Sequence, residues 1–176
     1  MKNALYILSI LFFCSCELID QNHFDVEKEL KPFVDNFYAE SIKRGQHIQR
    51  ENLMIYFSPL KGLAGESMNF TSIPTIHIDP TFFNKYSKAN APLYIEYVVF
   101  HEMGHAMLHR DHKDAYTIMT PNNKLIKEYS NNTQTRARLT DELFGAEVIN
   151  STPMGDFEKS DSLIALECTS QSRSVL

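Results

Sequence analysis

Between Phe24 and about Arg44 the apolar residues Val26, Leu30, Phe33, Val34, Phe37 and Ile42 recur at intervals that line one side of an α-helix. Gly45 is a fitting stop for that helix, and Pro32 within it predicts a kink. The pattern then changes. Leu53 to Phe57 and Thr75 to Ile78 are short β-prone runs with the turn-formers Gly62 and Gly65 between them, so they read as two strands. A second helix should begin at Ala91 or Pro92 and run to about His109. Apolar residues occupy several of its sides, which predicts a buried helix. Thr133 to Val148 reads as a third helix that turns Leu139, Leu143 and Phe144 inward. From Ser151 onward Ser, Thr and charge dominate, with Leu163 to Leu166 the one short helical candidate. Together these elements describe a single α+β domain, a small sheet on a central helix with a mainly helical C-terminal part.

The central helix carries polar residues that a buried helix should avoid. Residues 101–105 read His-Glu-Met-Gly-His, the H-E-x-x-H pattern of zinc peptidases. On a helix, residues four apart lie about 40° apart around the axis and one turn along it, so His101 and His105 can reach one cation. Glu102 is rotated about 100° from His101, close enough to act as a base on a water beside that cation. Burying two imidazoles and a carboxylate is costly unless a cation and hydrogen bonds satisfy them, so the motif calls for a metal.

Catalytic zinc generally takes three protein ligands plus water, so a third donor must converge. His109 continues the four-residue series but sits about 12 Å along the axis from His101 on a straight helix, too far to share its ion. A chain that turns back after Arg110 can bring His112 to the site, with Asp111 as the nearest rival; imidazole suits zinc better. Asp111 and Asp114 could instead orient an imidazole from outside. Glu142, on the third predicted helix, is the ligand that a different class of zinc peptidase would use.

His101-Glu102-x-x-His105, His112 and the downstream Ile118-Met119 together resemble the metzincin metallopeptidases, whose motif is H-E-x-x-H-x-x-G-x-x-H followed by a Met-turn. Gly104, Leu108, Arg110 and His112 are similar to a variant found in small metzincin-like lipoproteins of Bacteroidetes-type bacteria. The resemblance covers about residues 92–121, and a weaker likeness reaches Asp141-Glu142-Leu143-Phe144. It implies a zincin-like fold, zinc held by His101, His105 and His112, Glu102 as catalytic base, and Met119 as an apolar floor under the histidines. It also implies that the strand before the zinc helix lies at the sheet edge, making Ile76-His77-Ile78 a candidate for pairing with an extended peptide. Two positions depart from the motif. Leu108 stands where metzincins have glycine, with six residues rather than five between His105 and His112, and Pro121 stands where some members have a tyrosine that steadies the transition state.

The N-terminus adds a location. After Lys2 the apolar run Ala4 to Phe13 is far shorter than the roughly 20 residues needed to span a bilayer, and small residues and cysteines follow. Residues 1–15 read as a signal peptide, and Phe13-Cys14-Ser15-Cys16 resembles a lipobox with Cys16 as the lipid acceptor. Bulky Phe13 argues against cleavage before Cys14. The mature chain, residues 16–176, would be one metallopeptidase domain tethered by its lipid outside the cytoplasm, at the outer membrane or cell surface. Cys168 would be its remaining thiol, which excludes an internal disulfide. The net charge of −5, without a dense Lys/Arg stripe, argues against a nucleic-acid partner. The expectation is a monomeric zinc endopeptidase acting on peptides or proteins. The competing expectation is a non-catalytic lipoprotein that keeps zinc for stability and binds a partner.

Overall fold

The computed structural model describes residues 23–68 and 73–145 of the 176-residue chain. The segment expected to be a signal peptide, with Cys14 and Cys16, and the segment from residue 146 onward, with Cys168, lie outside the described residues. Within them the chain runs β1 (Phe24–Val26), α1 (Lys31–Lys43), β2 (Leu53–Phe57), β3 (Gly65–Met68), β4 (Thr75–Ile78), α2 (Pro80–Lys88), α3 (Pro92–Leu108), a 3-10 turn (Pro121–Asn123), α4 (Ile126–Asn131) and α5 (Thr133–Leu143). The result is α+β, with a four-stranded mixed sheet ordered β1-β2-β4-β3. β2 runs parallel to β1 and β4, whereas β3 is antiparallel to β4, with Gly65 opposite Ile78 and Met68 opposite Thr75.

β2 and β4 coincide with the runs read from the sequence. The first helix does not begin at Phe24: residues 24–26 form β1, whose alternating burial follows a two-residue period, and the helix starts at Lys31. Pro32 falls in its first turn, where a missing N–H costs nothing, so it opens the helix instead of kinking it. Gly45 does follow the helix, in the left-handed conformation (φ 74°). Its buried face, Val34, Phe37, Tyr38 and Ser41, packs toward α3, where Phe37 meets Phe100 edge-on at 5.4 Å. Burying a side chain of that size is worth about 1.5–3 kcal/mol.

β3 was not anticipated, because Gly-Glu-Ser-Met has little β-propensity. Its presence moves the edge: β4 lies between β2 and β3, so Ile76-His77-Ile78 is an interior strand and β3 is the edge nearest α3. His77 instead faces Tyr56, with ring centroids 4.8 Å apart, and sits 3.9 Å from the Glu66 carboxylate. The unpredicted α2 has a legible start, since Asp79 caps it by accepting from the Phe82 amide at 2.9 Å, and Pro80 follows. α5 ends at Leu143, short of Val148, and Gly145 takes φ 72° just beyond.

Candidate metal centre

Every residue of α3 from Tyr97 to Ala106 is buried, nearly three turns, so the helix is enclosed on all sides by the sheet, α1 and α4. His101 and His105 leave it one turn apart. Beyond Leu108 the chain is bent by His109, which adopts the left-handed conformation (φ 52°, ψ 39°), and the amide of Arg110 donates to the Gly104 carbonyl at 3.1 Å. Glycine usually fills such a cap. Here the reversal is made by an exposed histidine.

That reversal carries His112 back to the helix. Its Nε2 lies 3.1 Å from His101 Nε2, and His105 Nε2 lies 3.2 Å from the same atom. The donor atoms of all three fall within 4.8 Å of one another, close enough to bind one metal ion. A tetrahedral ion with bonds of about 2.0–2.1 Å has donor–donor edges of about 3.3–3.4 Å, close to the spacing seen. Asp111 is exposed and stands outside the trio, as do His109 and Asp114.

The protonation pattern tests whether these residues fit a cation. His101 Nδ1 is 2.7 Å from the Ile118 carbonyl and His105 Nδ1 is 2.6 Å from the Arg110 carbonyl. A carbonyl oxygen only accepts, so Nδ1 must donate in both rings. Burial pushes the His101 imidazole down to about 3, helped by its histidine neighbours and opposed by the Ile118 bond. Burial likewise pushes His105 down to about 4, against the pull of its bond to Arg110. His112 is lowered too, again by burial, with Asp111 acting in the opposite direction. Near neutral pH His101 and His105 are therefore neutral rings whose unprotonated Nε2 atoms lie 3.2 Å apart. Two acceptors at that distance repel unless a cation lies between them, so the donor set fits a metal.

The loop is held to the helix by more than these bonds. Tyr97, four residues before His101 on α3, donates its hydroxyl to the same Ile118 carbonyl at 3.3 Å. Met119 is fully buried beneath the helix: a β-carbon on Gly104 would come within 2.6 Å of its sulfur and 3.2 Å of Leu143 Cδ1. Gly104 is there because the methionine needs the space. Glu142 accepts from Arg110 at 3.1 Å and from the Thr117 hydroxyl, and takes no place among the three donors.

Glu102 is completely buried and pressed against the edge strand. A β-carbon on Gly65 would lie 2.9 Å from Glu102 Cγ, from Oε1 and from Val98 Cγ1. Gly65 therefore serves close approach of β3 to α3, not a turn. Tyr94, nearer the start of α3, stacks on Tyr86 at 4.4 Å.

The carbonyls of Ile118 and Arg110, the Tyr97 hydroxyl, Thr117 and Gly65 were all missed in the sequence reading. Tyr97 carries the one clear local signal, a polar aromatic residue a turn before His101. Compared with protein-family models, curated proteins and solved structures, the chain matches none of them. Among the described residues no helix is long and apolar enough to cross a membrane.

Proposed function

We propose that the chain is a zinc-dependent endopeptidase of metzincin-like design. The observation that carries this reading is the convergence of three imidazoles, with His105 and His112 Nε2 at 3.2 and 3.1 Å from His101 Nε2, on a helix that also carries the buried Glu102. Three imidazole donors suit zinc, and a set of three protein ligands leaves room for water and substrate, the arrangement of catalytic sites. Zinc held there would polarise the scissile carbonyl and make a bound water acidic enough to attack it.

Glu102 takes the proton from that water and returns it to the leaving amine, a role that needs one carboxylate beside the histidines and clear of the ligand set. β3 has no neighbouring strand on its outer side among the described residues, so it offers an edge along which an extended peptide would lie next to Glu102. That role falls to Gly65–Met68 and not to Ile76-His77-Ile78, which lies inside the sheet. His101 and His105 stay neutral and correctly turned through their carbonyl partners, which keeps both lone pairs available. Lipidation at Cys16 would tether this domain outside the cytoplasm.

The test is a peptide-library digest by the chain stripped with chelator and then given zinc, beside Glu102→Gln. We expect cleavage by the zinc-restored chain only, and a Glu102→Gln variant that binds zinc but is about 10²–10⁴-fold slower. Undiminished cleavage by that variant would remove Glu102 from its role. A wild-type chain that binds zinc yet leaves every peptide intact would favour the stability-only site instead.

A further inference from the structure

Glu142 sits on α5, outside the donor trio, yet its two carboxylate oxygens reach opposite ends of the loop that completes it. Oε1 accepts from Arg110 Nη1 at 3.1 Å, with Lys113 Nζ 3.7 Å away. Oε2 accepts from the Thr117 hydroxyl, whose oxygen in turn accepts the Met119 amide at 3.2 Å. Those two ends matter because each carries one of the orienting carbonyls: Arg110 its own, which holds His105, and Thr117 the neighbouring Ile118, which holds His101. His112 lies on the loop between them.

We propose that Glu142 is a positioning residue for the metal centre, a single carboxylate that sets the spacing of the two carbonyls and so the aim of all three imidazoles. The inference rests on the metal-site reading above. With side-chain exposures of 21% and 23% this ion pair is mostly buried, so removing one partner costs stability as well as geometry, and the fold is checked beside the affinity. Loss of an outer partner of a ligating histidine typically lowers metal affinity about 10–100-fold. Removing Glu142 loosens the partners of two histidines at once, so its effect belongs at the upper end of that range. Removing Thr117 cuts one arm and belongs at the lower end.

The probe is Co²⁺, whose visible absorption reports ligand number and geometry, titrated against a competing chelator. Wild type, Glu142→Ala, Glu142→Gln and Thr117→Val are compared, with circular dichroism confirming the fold. We expect Co²⁺ affinity to fall about 100-fold in Glu142→Ala and about 10-fold in Thr117→Val. Glu142→Gln, which keeps one acceptor oxygen, should lie between them. The Thr117→Val/Glu142→Ala double variant should be no weaker than Glu142→Ala, because both remove the same arm. Folded Glu142→Ala with wild-type affinity overturns the proposal and leaves the metal site standing. So does a spectrum showing one ligand fewer in Glu142→Ala while Thr117→Val stays as wild type, since that makes the carboxylate a ligand. If Glu142→Ala does not fold, Thr117→Val and Glu142→Gln decide alone, and unchanged affinity in both is negative. Wild type that takes up no Co²⁺ removes the metal reading and this inference with it.

Discussion

Helix α3 and the loop that follows it, residues 109–120, build one site by different physical means. The helix supplies His101, Glu102 and His105 through its own repeat, on a backbone buried for nearly three turns. The loop supplies His112 and both orienting carbonyls through contacts to distant residues. It is closed by the Lys113 amide on the Met119 carbonyl at 3.0 Å, by Met119 beneath Gly104, and by Glu142 on Arg110 and Thr117. A helix fixes donors cheaply because one repeat sets every position. A loop fixes a donor only through tertiary bonds, each of which can be removed separately.

The largest effects should come from the donors themselves. His101→Ala, His105→Ala and His112→Ala should each lose metal by more than the about 100-fold that an outer partner costs, measured as metal content after dialysis. Asp111→Ala should retain it. If Asp111→Ala loses metal while His112→Ala does not, the loop donor has been misassigned and the helix is left as the only sound half of the site. Next comes Glu102→Gln, with turnover down about 10²–10⁴-fold at unchanged metal content. That split between binding and turnover separates the two jobs of the helix.

The packing between helix and loop follows. Met119→Ala removes a fully buried side chain and should cost about 2–5 kcal/mol, read by denaturant unfolding. Gly104→Ala forces a β-carbon to within 2.6 Å of the Met119 sulfur unless the methionine shifts, and should cost about 1–3 kcal/mol. The two changes should not add. In the double variant the new methyl occupies space the methionine has left, so its cost should fall below the sum. Full additivity would mean that Met119 and Gly104 do not press on each other, and the loop would lose one of its anchors.

The same contrast explains how much could be read in advance. α3, its two histidines and Glu102 were legible because helical periodicity is local, and β2 and β4 because Leu53–Phe57 and Thr75–Ile78 are uniformly β-prone. His112 was favoured over Asp111 on ligand chemistry, and the reversal at His109 brings it to the other two imidazoles. β3 was invisible because its place depends on what Gly65 lacks, a side chain that would strike Glu102, and sequence alone does not show that contact. The edge was assigned to β4 for the same reason. Phe24–Val26 joined the helix because Val26 and Leu30 fit a four-residue interval, although Pro32 already marked a helix start. Asp111 and Asp114 were candidates to orient an imidazole, with solvated loop charges the default, and the Nδ1 partners of His101 and His105 are main-chain carbonyls, which leave no trace in residue identity.

The smallest effect, and the one that separates helix from loop most finely, is the response of the metal-free chain to mild acid. His101 and His105 have folded values of about 3 and about 4, below the ordinary 6.5 that they regain on unfolding. The unfolded chain therefore binds more protons throughout that interval, and stability falls as pH drops from about 6.5 toward the folded values. Above 6.5 the contribution is fully present. Between pH 7 and 6 each helix histidine should remove under about 1 kcal/mol, because only the unfolded ring titrates there. Burial lowers His112 as well, but this ring is only partly buried and Asp111 opposes the shift, so it should protonate before the other two as acid is added. Ring-proton NMR of the chelator-treated chain would show the order directly. If His101 or His105 titrated first, the helix would not be the dry, fixed half of the site, and the lone-pair argument for a cation would fail at its root.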